Sequence, residues 1–268
     1  MATETKTTKY DEVRLAGASK GVALTTTAAL TSIPLGTRYI RLAPRNFSTA
    51  VVARFAINPW LTCIMTTNGI ADLRDISSEA QDGDTAIIDF SSFPTLANGG
   101  ALYIGSHRPF RGVAVDIGTA TQSTAAVLTG TYLSAIDTWV DLSITDATAS
   151  GGATFAVDGN VTWTVPTIGT GWARRSLGSK LGLASTAAIY TDKLYWTRLV
   201  TDAAFDSTTS VLQLRALNRS TAYAELAPGE WFDELVTVGY GGVANVEALT
   251  DAGTANLLIN VATMGDDF

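Results

Sequence analysis

The chain carries one histidine, His107, and one cysteine, Cys63. A catalytic histidine needs a partner nucleophile held on a strained turn. His107 instead precedes Arg108-Pro109-Phe110 in what reads as a turn between strands, so an ordinary turn residue is expected. A zinc site built with one His and one Cys would rest almost wholly on carboxylates, a donor set that zinc sites rarely use. The acids Asp72, Asp75, Glu79, Asp82 and Asp84 cluster, and Asp82-Gly83-Asp84 could contribute to a calcium loop. Their spacing lacks the twelve-residue pattern ending in glutamate, which leaves a solvated acidic loop as the expectation. Any two of the 25 carboxylates could be paired for glycoside hydrolysis, so residue count alone selects none. The pairs Gly99-Gly100, Gly151-Gly152 and Gly241-Gly242 read as turn glycines, because none opens a helix as a phosphate-binding loop must. No catalytic, cofactor-binding or metal-binding residue is assigned.

The composition points away from several function classes. With 18 Lys and Arg against 25 Asp and Glu, the net charge is -7, unlike a nucleic-acid footprint. Charged residues are only 16% of the chain, and Thr, Ser, Asn and Gly supply the remaining polarity. Threonine suits a pleated, half-buried surface, which favours strands. A surface rich in Thr, Ala and Gly is also easier to desolvate than one rich in Lys, which is compatible with extensive protein contacts. The lone Cys63 allows no internal disulfide, and the polar start Met1 to Lys9 lacks the apolar core of a signal peptide. No apolar run reaches the length of a membrane span, so a product made and kept in a cytoplasm until it assembles is expected.

The elements that would position any working residue are strands. Short apolar runs alternate with Gly, Asp, Asn and Ser clusters throughout. Residues 1–9 read as a flexible arm, and residues 10–100 as an N-terminal β-domain with one short helix at Ile76 to Gly83, stopped by Gly83. A boundary is expected at the loop Pro94 to Gly100. Residues 101–217 then hold about eight strands, including Ala101–Ser106, Phe110–Ile117, Ala153–Ala156 and Lys193–Val200, at sandwich spacing. The stretch Ile168–Ala188, with Gly169, Gly171, Gly178 and Gly182, reads as a long surface loop, functional or ordered by a partner. The strands of residues 218–268 are expected to complete the N-terminal domain, since either segment alone would leave unpaired edges. The fold class is therefore all-β, a jelly-roll-like β-sandwich plus a second, smaller β-domain.

Several pieces come in a recognisable order: Tyr103-Ile-Gly-Ser, Arg108-Pro-Phe110-Arg-Gly-Val, Asp116-Ile-Gly, Trp139, Gly159-Asn-Val-Thr-Trp163-Thr-Val-Pro166, Trp172 and Tyr195-Trp196-Thr-Arg198-Leu199. Residues 101–217 resemble a β-sandwich module of tailed-bacteriophage virion proteins, similar in layout to galactose-binding-like jelly rolls. The resemblance implies a non-enzymatic structural role at the head surface, the head–tail neck or the tail. The implied partners are copies of the chain and other virion proteins, with no nucleic acid and no membrane. In that pattern Trp139, Trp163 and Trp196 fall at core positions. A carbohydrate- or receptor-binding module of a fibre or baseplate is the alternative, with a glycan as partner, and a glycan depolymerase is a third reading. Arg and aromatic residues are enriched where partners bind, so Arg108, Phe110, Arg111, Trp172, Arg174 and Arg175 are the candidate contact residues.

Overall fold

The computed structural model describes residues 10–15, 21–33, 37–49, 52–81, 87–183, 192–235 and 243–264. The proposed arm, residues 1–9, lies outside them. The first strands are β1 (Tyr10–Leu15), β2 (Val22–Leu24), β3 (Ala29–Ser32), β4 (Thr37–Arg45), β5 (Ala53–Pro59), β6 (Thr62–Thr66), β7 (Arg74–Asp75) and β8 (Ile88–Asp89). Next come β9 (Ala101–Ser106), β10 (Phe110–Ile117), β11 (Leu128–Leu133), β12 (Trp139–Leu142), β13 (Ile144–Asp146), β14 (Gly159–Trp163) and β15 (Arg175–Ser176). The last are β16 (Lys193–Thr201), β17 (Ser210–Asn218), β18 (Ala224–Leu226), β19 (Phe232–Leu235), β20 (Val243–Thr250) and β21 (Ala255–Met264). Two short helices, α1 (Ser77–Gln81) and α2 (Leu177–Lys180), interrupt them. The protein is all-β.

The chain forms two compact units, one of residues Met1–Ile57 with Ala222–Phe268, the other of Asn58–Thr221. In the first unit the sheet β1-β21-β4-β19, with β2 also on β21, faces the sheet β18-β5-β20-β3. Ile40, Leu42, Leu257, Ile259 and Val261 from one sheet meet Phe55, Val246 and Ala248 from the other in a single buried cluster. The C-terminal β21 lies between β1 and β4, antiparallel to both, so the two ends of the chain share one sheet.

The second unit packs β13-β14-β10-β17-β8 against β12-β11-β16-β9-β6-β7, with β15 also on β16. Cys63, Leu102, Ile104 and Leu199 from the second of these sheets pack on Val113, Val115, Val161 and Leu214 from the first. This unit begins at Asn58, which corrects the boundary expected at residue 100. β6 pairs with β9, Ile64 opposite Tyr103, and β8 pairs with β17, so residues 58–100 supply strands to the same sandwich as residues 101–217. Phe90 meets Phe155 and Phe93 meets Phe205 at ring-centroid separations of 5.9 and 5.7 Å, and Phe155 and Phe205 are 5.6 Å apart. Helix α1 seals the β6 edge. Gln81 accepts from the Leu61 amide at 2.7 Å and donates to its carbonyl at 2.6 Å, while Ser77 Oγ accepts from the Cys63 amide at 2.9 Å. Such a cover blunts an edge that could otherwise pair with another chain.

The expected strand Ala153–Ala156 is a turn. Phe155 has φ 55° and is buried, so its ring enters the core where a strand would carry it past. The turn is fixed by Asp146, whose carboxylate accepts from the Thr148 amide at 2.9 Å and from the Thr148 and Thr154 hydroxyls at 2.6 Å each. Thr148 Oγ1 in turn accepts from the Phe155 amide at 3.0 Å.

The seven-stranded sheet is apolar on both faces. Its outward residues Ile64, Tyr103, Trp196 and Val200 form a separate cluster with Leu133, Leu177 and Leu194, flanked by Leu73, Trp139 and Leu181. Residues 168–183 provide part of that cover through α2, so within the described residues this stretch is ordered by its own chain. Residues 184–188 of the expected loop lie outside the described set. Among the described residues no helix is long and apolar enough to cross a membrane.

Candidate functional site

The residues singled out for chemistry have local structural partners. Cys63 is buried, and burial with the nearby Asp75 charge pushes its thiol well above the usual range. The thiolate is the reactive form, so this side chain is inert packing. His107 Nδ1 is buried without a hydrogen bond, and burial, together with the Arg174 charge, lowers its proton affinity against the opposing pull of Asp192. One Gly-x-Ser-x-Gly spacing does occur, at residues 17–21. A nucleophile elbow joins a strand to a helix. Residues 17–20 of this spacing lie outside the described residues.

The acidic cluster divides in the same way. Asp75 accepts from the Ser77 amide at 2.9 Å at the start of α1, and Glu79 pairs with Arg74 at 2.7 Å. Asp82 and Asp84 lie outside the described residues. Asp72 lines a polar hollow of about 400 Å³ with Thr66, Thr67, Arg74, Asp89 and Ser91. It accepts from the amides of Thr67 at 3.1 Å and Asn68 at 2.9 Å and from both threonine hydroxyls. Desolvation pushes this carboxyl up, but the hydrogen bonds outweigh it and hold it at about 2, below the usual 3.8. The charged form is thus favoured by folding, and its contribution is present above about pH 4 and lost as the pH falls through 2. Asp72→Asn is expected to lower the melting temperature at pH 7 and to approach the parent near pH 2, as measured by circular dichroism. Among the described residues no group of three His, Cys, Asp or Glu side chains could hold a metal ion.

The six candidate contact residues separate into core and surface. Phe110 and Trp172 are fully buried, and their rings lie 5.5 Å apart. Trp172 also packs on Tyr195 at 5.4 Å and Tyr132 at 6.3 Å, and its indole N–H donates to the Trp196 carbonyl at 3.2 Å. Neither side chain can present itself to a partner, which corrects their assignment as contact residues. Arg175 is a brace. Its guanidinium donates to the Ala135 carbonyl and pairs with Asp137 at 3.4 Å, tying the β11–β12 turn to β15. Arg111, next to buried Phe110, is part-buried on the five-stranded sheet.

Arg108 is part-buried like Arg111, Arg174 is exposed, and the fold brings the segment of Arg174 beside the turn that holds His107. Ser106 stands opposite Tyr195 on one side of β16, and Arg175 opposite Leu194 on the other. His107 and Arg174 are close enough for the arginine to disfavour protonation of the imidazole. Exposed Arg174 and Asp192 thus both act on the His107 turn, which follows β9 at one end of the seven-stranded sheet.

Trp163 and Trp196 are buried, with indole N–H groups donating to the Phe110 and Arg175 carbonyls at 3.1 and 2.9 Å. Trp139 is half-buried. One face covers Arg198 at 4.7 Å, and its ring centroid is 5.8 Å from that of Tyr103. The exposed tryptophan is Trp231, at 64% of its full surface, in the first unit. It lines a hollow of about 560 Å³ with Ala43, Pro44, Arg45, Asn46, Phe47 and the turn Pro228-Gly229-Glu230. Sequence reasoning passed over this site. The available signal was Trp231-Phe232 directly after Pro-Gly: neighbouring strand residues point to opposite faces, so both rings cannot enter one core. Phe232 takes the inward place, 4.9 Å from Phe55.

The chain matches no protein-family model, no curated protein and no solved structure.

Proposed function

We propose that the chain is a non-enzymatic structural component of a tailed-phage virion, at the head surface, the head–tail neck or the tail. It works by burying surface against copies of itself and other virion proteins. The observation that carries the reading is the exposed cation Arg174 beside the His107 turn in a chain of net charge -7. An exposed cation on an acidic chain suits an acidic face of a neighbouring subunit, and complementary charge mainly sets association rate and register. The resemblance of residues 101–217 to phage virion modules supports the virion setting. A surface with few charges also lowers the cost of desolvating a large contact.

The variant Arg174→Glu tests the contact. Expressed during infection in place of the parent chain, it is expected to be absent from purified particles or reduced at least tenfold on immunoblots. Its melting temperature should stay within a few degrees of the parent's, since changes at such surface positions usually have small effects. Incorporation at the parent level would refute the proposed contact.

A further inference from the structure

We infer that the hollow beside Trp231 is a saccharide-binding site. This goes beyond the structural role proposed above, does not rest on it, and concerns the unit outside the stretch that resembles virion modules. The fold leaves the space open. β19 covers β4 from Tyr39 to Leu42 only, whereas β4 continues to Arg45 and is paired with β21 along that length. Over the uncovered residues the chain is still rising through the Pro228–Glu230 turn from β18 in one sheet to β19 in the other. Trp231 stands where the missing pairing would have been, and it also borders a second hollow of about 420 Å³ with Leu226, Gly229 and Glu230.

The groups around the indole specify the ligand class. Glu230 accepts from the Ala227 amide at 2.8 Å through Oε2, which fixes the carboxylate and leaves Oε1 as an acceptor. Asn46 donates to Asn256 Oδ1 at 3.3 Å, which holds its amide beside exposed Arg45. Phe47 is anchored on the core of the unit. The hollow thus offers donors and acceptors together, one cation and one carboxylate, and a flat apolar ring. Hydroxyl groups both donate and accept, and the C–H face of a sugar ring stacks on an aromatic face, so a neutral saccharide meets all three features. A phosphate or an acidic peptide would face Glu230. The volume is in the range of sites for small ligands, and the hollow is shallow and open, as a ring stacking on an exposed indole requires.

The full chain can be run on native gels containing dextran, a β-glucan, a galactan or purified lipopolysaccharide. Retardation in at least one gel is expected, with at least a tenfold weaker effect for Trp231→Ala and an intermediate one for Trp231→Phe. Retardation confined to lipopolysaccharide would assign a cell-surface glycan, and retardation by a soluble polysaccharide a free one. Trp231 is exposed, so both variants should melt with the parent. Migration unchanged in all four gels, or equal retardation of parent and Trp231→Ala, overturns the assignment. So does a Trp231→Ala variant that shows no glycan effect but loses self-association in sedimentation, which would make the hollow a protein contact.

Discussion

Replacing Trp172 by alanine is expected to cost about 3–5 kcal/mol of unfolding free energy, the range for deleting a large buried aromatic. The ring has no exposed surface and touches Phe110, Tyr132 and Tyr195. Its loss opens a cavity and also leaves the Trp196 carbonyl without the indole donor. Urea unfolding followed by far-ultraviolet circular dichroism would show a lower midpoint with little change in slope. The competing view, that Trp172 is a contact residue, predicts unchanged stability and lost binding. A variant within about 0.5 kcal/mol of the parent, the usual span of a surface change, would therefore restore Trp172 to the candidate contacts.

The second large effect is expected at Gly105. This glycine stands opposite Trp196 across β9 and β16, and the indole lies flat over it. A Cβ built there would sit 2.6 Å from two carbons of the ring. The ring is held by its N–H bond to the Arg175 carbonyl and enclosed by the outer-face cluster, so it has nowhere to move. Gly105→Val is expected to cost about 2–3 kcal/mol, at the upper end of overpacking penalties, and Gly105→Ala somewhat less. In the double variant Gly105→Val/Trp196→Ala the two costs should fall short of their sum, because the clash and the ring that causes it disappear together. Additive costs in the same denaturation assay would show that the glycine serves some other purpose.

These two positions also show what could be read from the chain. The bounds of β9 and β10 follow from composition and alternation, and they match residue for residue. Phe110 reads as a contact residue for its place between Arg108 and Arg111, and strand alternation does not put it in the core. Counting back from Val113, Val115 and Ile117 by twos places Arg111 inside and Phe110 outside. A register shift between Phe110 and Gly112 reverses that phase, because a bulge inserts a residue that alternation cannot anticipate. Trp172 was misplaced for a different reason. Large aromatics fill cores and interface centres alike, and a glycine-rich stretch does not reveal that residues 168–183 fold back on their own sheet.

The boundary was misread because Gly99-Gly100 looks like a linker. It is a closed turn, with the Gly99 and Gly100 amides donating to Leu96 and Thr95 at 3.0 and 2.9 Å. What decides the division is pairing between strands far apart in sequence, such as β8 with β17, and local composition does not encode it. The same holds for the surface sites. Arg174 was legible as a cation, but its approach to His107 depends on β16 lying between β9 and β15. Trp231 needed only the alternation argument applied to Trp231-Phe232.

The central claim is that the chain works by contact with neighbours in an assembled particle. Cross-linking mass spectrometry on purified virions tests it most directly, using a carboxylate-to-amine reagent and a photoreactive residue placed at position 174. The account predicts cross-links from position 174 to an acidic segment of another virion protein or of a second copy, present in particles and absent from the isolated chain. Recovery of the chain only as a free component, with no cross-link to any virion protein, would contradict it.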